Sequence, residues 1–159
     1  MPGRLRVLFL CTGNSCRSQM AEGWTRSLKG DLIEPFSAGV APHGLDPNTV
    51  AVMAEAGVDI SHQRSKSVQD LTALDFDCVV TVCDHARESC PRFPGKTRVM
   101  HKDFDDPPRL AKDAKTKDEA LAHYRRVRDE IRRFVETLPE GLLPASRPNG
   151  PPPSCGDKQ

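Results

Sequence analysis

Apolar and polar positions along this chain switch between a strand period and a helix period. Arg4-Leu5-Arg6-Val7-Leu8-Phe9-Leu10 is a short apolar run, β-branched or aromatic in part, that stops at the turn signal Gly13-Asn14. It predicts a buried strand over 5–11. Met20, Ala21, Trp24 and Leu28 then recur on one helical face, with Gly30 as a stop, and predict a helix over 18–29. A strand over 33–38 follows, and Pro35 assigns it to a sheet edge. Asp46-Pro47 opens a helix to 56 that Gly57 ends. Residues 67–74 read as a short helix, 77–82 as a second core strand and 98–101 as a short fourth strand. A long helix over 117–138 puts Leu121, Tyr124, Ile131, Val135 and Leu138 on one face.

This alternation predicts an α/β fold: one domain over 1–138, built on a four-stranded parallel sheet with helices on both faces. Ligands of such sheets bind at the carboxyl ends of the strands, where Cys11 and Cys83 both fall. From 139 to 159 the composition turns proline-rich, from Pro139 through Pro151-Pro152-Pro153, and predicts a disordered tail. Cys155 in that tail is taken as an off-pathway thiol.

Charge and cysteine content narrow the class. The 159 residues hold 23 Lys and Arg against 22 Asp and Glu, which leaves no nucleic-acid footprint. The pairs Arg125–Asp129, Arg126–Glu130 and Arg132–Glu136 sit four apart and predict a solvated helix face. Six cysteines in a chain this long do not fit a secreted disulfide scaffold. The run 7–10 is too short for a signal peptide, and no stretch is long enough to cross a membrane. A monomer in the reducing cytoplasm is expected.

Chemistry concentrates in Cys11-Thr12-Gly13-Asn14-Ser15-Cys16-Arg17-Ser18, a cysteine, five residues and an arginine on a strand-to-helix turn. Orphan N–H groups and the positive end of the helix dipole converge there and favour an anion. Gly13 and Asn14 tolerate left-handed backbone, as an anion nest needs. Arg17 is able to grip a tetrahedral oxyanion through two parallel N–H bonds. The same field favours the Cys11 thiolate, and Ser18 is placed to donate to that sulfur. For Cys16, packing and a redox role both stay open. Cys83 and Cys90 add a spare dithiol after an apolar strand, which points to reductive chemistry rather than hydrolysis. Asp106, in Asp105-Asp106-Pro107-Pro108, reads by itself as a turn residue. His85 between Cys83 and Cys90 raises a metal site, but structural zinc needs four ligands, so no metal is expected. His43, His62, His101 and His123 carry no motif.

The stretch 7–18 resembles the low-molecular-weight protein tyrosine phosphatase superfamily. Within it the chain is similar to the thioredoxin-coupled arsenate reductases. Phe36-Ser37-Ala38-Gly39, Gly57-Val58-Asp59-Ile60-Ser61, Val79-Val80-Thr81-Val82-Cys83-Asp84, Cys90-Pro91 and Asp105-Asp106-Pro107 extend the likeness in order over roughly 5–138. The resemblance implies that Cys11 attacks arsenate held by residues 12–17, with Asp106 as general acid. It implies a disulfide relay from Cys11–Cys83 to Cys83–Cys90, reset by thioredoxin as external reductant, with no bound cofactor. Each relay step is thiolate attack on sulfur, and residues 84–94 should move to expose the second disulfide. Phosphate and sulfate would compete for the loop. Some relatives bind a monovalent cation through positions matched by Asn14, Glu22 and Ser37. Lys66 replaces their acidic fourth ligand, which implies no potassium dependence. A tyrosine phosphatase is the alternative. It leaves Cys83 and Cys90 without a task, and Pro108-Arg109 stand where such enzymes tend to place cleft-lining aromatics. A non-enzymatic thiol switch is the third reading and leaves Arg17 and Asp106 without one.

Overall fold

Val7, Leu8, Phe9 and Leu10 are wholly buried because β1 (Leu5–Cys11) is an inner strand covered on both faces. The computed structural model describes residues 3–93 and 97–142. β1 pairs in parallel with β2 (Ile33–Gly39) on one side and β3 (Cys78–Thr81) on the other; β4 (Arg98–His101) pairs with β3. The order β2-β1-β3-β4 leaves β2 at an edge, as the proline inside it requires. Cys11 lies opposite Gly39, and Leu10 lies opposite Thr81. The carboxyl ends of β1 and β3 are therefore level, which brings the segments carrying Cys11 and Cys83 side by side.

α1 (Arg17–Lys29) buries Met20, Ala21 and Trp24, whereas Leu28 is exposed: the apolar face of this helix ends a turn earlier than its spacing predicts. α5 (Lys117–Glu136) buries Leu121, Tyr124, Val127, Ile131 and Val135. The two helices pack through Trp24, whose Nε1 donates to the Arg128 carbonyl at 3.1 Å while the Arg132 guanidinium covers its ring at 5.0 Å. α2 (Pro47–Glu55) starts at Asp46, whose Oδ1 accepts from Asn48 N.

Several local expectations are corrected. The helix expected over 67–74 is a 3-10 turn at Val68–Asp70. A short helix, α3 (Asp84–Glu88), leads from β3 toward β4, and a second, α4 (Pro107–Ala111), stands where the prolines alone suggested a turn. Proline at a first helical position loses no intrahelical bond, so Pro107 starts a helix rather than preventing one. Arg125 pairs with Glu55 on α2 and with Asp118, not with Asp129; the Arg126–Glu130 and Arg132–Glu136 pairs form as spaced. Ordered structure also continues past 138, because Glu140–Leu142 form a 3-10 turn that buries Leu142. The tail from 143, with Cys155, lies outside the described residues. Among the described residues no helix is long and apolar enough to cross a membrane.

Candidate active site

The carbonyls of Cys11 to Cys16 are all held by groups around the loop. They accept in turn from Val40 N, Ala41 N, His43 N, Gln19 Nε2, Asp46 N and Met20 N, at 2.8–3.1 Å. In a trans peptide the N–H points opposite to the C=O. Anchoring these carbonyls outward therefore turns the N–H groups of residues 12–17 to the inner side, where they form an anion nest. Asn14, at φ 49°, supplies the left-handed residue of the loop. Gly13 does not share that role; a Cβ on it would sit 2.7 Å from His43 Nδ1. Gly39 is needed for close approach, since a Cβ there would lie 2.5 Å from the Thr12 carbonyl oxygen.

Cys11 is buried, and Ser18 Oγ lies 2.8 Å from its sulfur. Asn14 Nδ2 donates to Ser18 Oγ at 2.8 Å, so the serine proton is left for the sulfur. Burial pushes the Cys11 thiol up; hydrogen bonds from the Ser18 side chain and backbone, and the Arg17 charge, pull it down. The loop's positive potential and N–H donors favour thiolate. The structure shows burial prevailing, with Ser18 as the chief opposing influence. Cys16 packs into the core, and burial pushes its thiol up.

Arg17 opens α1 and reaches across the site. Its Nη1 donates to the Phe104 carbonyl at 2.9 Å, and its Nη2 is 3.6 Å from Asp106 Oδ2. Asp106 stands at the N-cap of α4 without making a capping bond, which leaves its carboxyl available. Cys83 enters from the β3 side. Its sulfur lies 3.3 Å from Thr12 Oγ1 and accepts from Ala86 N at 3.4 Å. Thr12, Arg17, Cys83, Asp106 and Arg109 line one cleft of about 310 Å³. Cys11 and Cys83 are free thiols, and Cys83 is close enough for its charge to raise the Cys11 thiol. Cys90 lies half-buried just beyond the far end of α3 and is disulfide-bonded in this structure, so it is not a free thiol here.

The sequence model for low molecular weight phosphotyrosine protein phosphatase matches residues 6–144, nearly the whole chain. The chain belongs to that family. An arsenate reductase of Halalkalibacterium halodurans is 47% identical over 134 residues, covering 84% of this chain and 94% of the relative. A solved arsenate reductase in its phosphate-binding state superposes with a TM-score of 0.69 at 30% identity, covering 87% and 98% of the two chains. The thioredoxin-dependent arsenate reductase of Corynebacterium glutamicum superposes with a TM-score of 0.59 at 26% identity, covering 84% of this chain and 61% of that one.

As a member of this phosphatase family, the chain surrounds Glu22 with its own cations. Ser37 Oγ donates to Glu22 Oε1 at 2.5 Å, Arg26 Nη2 pairs with Oε2 at 2.6 Å, and Lys66 Nζ approaches Oε1 at 4.0 Å. Lys66 Nζ also donates to the Arg64 carbonyl, and its backbone N–H donates to Asn14 Oδ1. The positions Asn14, Glu22, Ser37 and Lys66 are thus brought together, with an ammonium beside the carboxylate.

Two supports of the site carry no sequence signal. Gln19 and Gln63 form a buried amide pair under the loop, through which Gln19 Nε2 reaches the Asn14 carbonyl. Tyr124 donates to Asp46 Oδ2 at 2.7 Å, and Asp46 N holds the Ser15 carbonyl. Burial and the Asp46 carboxylate keep that phenol protonated. Both contacts join residues far apart in the chain, which no local pattern registers.

Proposed function

We propose that this chain reduces arsenate to arsenite with Cys11, Cys83 and Cys90, and that thioredoxin restores the thiols. The observation that carries this reading is the second free thiol in the phosphatase-type cleft: Cys83 lies against Thr12, beside the nucleophile. A hydrolase of this family has no use for it. The arsenate reductases at close to half identity support the same substrate.

Arsenate is received by the N–H groups of residues 12–17 and by Arg17. The Cys11 thiolate forms an S–As bond while an As–O bond breaks, and Asp106 protonates the leaving oxygen, which departs as water. Cys83 then attacks the Cys11 sulfur. The S–S bond forms, the S–As bond breaks, and its electron pair stays on arsenic, which leaves as arsenite. Cys90, once the disulfide it holds in this structure is reduced, attacks Cys83, releases the Cys11 thiolate and leaves the Cys83–Cys90 disulfide. A thioredoxin dithiol supplies the two electrons that reopen it, so no bound cofactor enters the cycle. A reducing cytoplasm is the compartment this chemistry requires.

Fully reduced protein mixed with arsenate, without any other reductant, tests the reading. About one arsenite should form per chain, with two thiols lost. Release of phosphate from an aryl ester, without arsenite production or thiol loss, would assign the chain to hydrolysis instead.

A further inference from the structure

Cys83 sits on a two-residue connector between β3 and α3, and His101 holds both flanks of that connector. His101 Nδ1 is 2.7 Å from Thr81 Oγ1, two residues before Cys83. His101 Nε2 is 3.3 Å from Asp84 Oδ1, one residue after Cys83. The same nitrogen is 3.9 Å from Asp103 Oδ1, on the segment that brings Phe104 and Asp106 to Arg17. Nε2 is shielded from solvent, makes no directed hydrogen bond and lies against the two carboxylates. Nothing else in the site needs an imidazole here, since His101 is not among the residues lining the cleft.

We propose that His101 is a positioning residue for the resolving thiol: by bonding Thr81 and packing its other nitrogen against Asp84 it sets the backbone that carries the Cys83 sulfur. The inference rests on the relay proposed above. Attack on a disulfide-forming centre needs sulfur, sulfur and leaving group in line, and small misplacements of a reacting atom cost rate steeply. The attack of Cys11 on arsenate needs no help from His101. A loss of this grip should therefore slow the second chemical step and spare the first.

The test follows one turnover in protein carrying Cys90→Ser, with mass spectrometry timing the Cys11–Cys83 disulfide after arsenate is added. His101→Asn keeps a polar group near Thr81 and removes the arm to Asp84; Asp84→Leu removes the carboxylate that this arm packs against. Each should slow disulfide formation about tenfold or more, by the sensitivity of reacting geometry to position. The double variant should be no slower than the slower single one, because both cut one contact. In His101→Asn, alkylation of Cys11 by iodoacetamide and its protection by inorganic phosphate should stay within about twofold of the parent. Equal losses in alkylation and disulfide formation would mean a merely structural role and overturn the proposal. So would unchanged disulfide rates, or additive effects in the double variant. Absence of any Cys11–Cys83 disulfide in the parent would instead refute the relay itself.

Discussion

Ser18 Oγ lies 2.8 Å from Cys11 Sγ and is itself held by Asn14 Nδ2. That contact is the chief influence opposing burial at the nucleophile. Burial raises the Cys11 thiol and Ser18 is the largest influence lowering it. Ser18→Ala should therefore raise the thiol further. Below its pKa, each unit of rise cuts the thiolate about tenfold. Alkylation of Cys11 at neutral pH should slow by about tenfold or more, and its pH midpoint should move upward. In the parent protein, alkylation should climb with pH beyond the range of an ordinary thiol. A midpoint unchanged by Ser18→Ala would show that the serine has no electrostatic role.

Lys66 Nζ stands 4.0 Å from Glu22 Oε1, and burial lowers its pKa while Glu22 opposes that shift. Catalytic efficiency should be the same in potassium, sodium and tetramethylammonium salts at equal ionic strength. Lys66→Asp should lower activity in sodium and regain it in potassium. A clear stimulation of the parent enzyme by potassium would contradict this assignment.

Gly39 is the point at which β2 touches the anion loop. An added Cβ would meet the Thr12 carbonyl oxygen at 2.5 Å and Asn14 N at 2.9 Å, both backbone atoms that cannot swing away. Gly39→Ala should cost about 1–3 kcal/mol of stability through overpacking. It should also weaken protection of Cys11 by phosphate, because Thr12 and Asn14 are the displaced residues. Thermal unfolding and the alkylation assay read the two effects separately.

The site was legible where its signal is local. Cysteine, five residues and arginine at a strand-to-helix turn point to the nest, Ser18 and Arg17, and the apolar run of β1 with Pro35 in β2 points to a buried strand and an edge strand. Contacts between distant segments were not legible: Arg125 with Glu55, Tyr124 with Asp46, and His101 with Asp84 each join separate elements. Leu28 shows the limit of periodicity, because spacing gives a face and only packing decides where that face ends. The two prolines after Asp106 were read as a turn, although the first of them is a good first residue of a helix. The charge of Cys11 depended on the depth of burial, which no motif carries.

Cys83 is bonded to Ala86 N at the start of α3, and Cys90 follows the end of that helix. In the proposed relay, handing the disulfide from one to the other should rearrange α3. Cys90→Ser should stop after one turnover, with Cys11 and Cys83 joined, and Cys11→Ser should abolish arsenate reduction altogether. Peptide mapping under non-reducing conditions identifies the trapped bond. Sustained turnover in Cys90→Ser would remove Cys90 from the relay.

The most direct test of the three-thiol reduction is NADPH oxidation by thioredoxin reductase and thioredoxin in the presence of this protein, with and without arsenate. Many turnovers that depend on arsenate, and that stop when Cys83 is replaced by serine, are the predicted result. No arsenate-dependent oxidation, together with steady hydrolysis of an aryl phosphate that survives Cys83→Ser, would contradict it and leave a phosphatase.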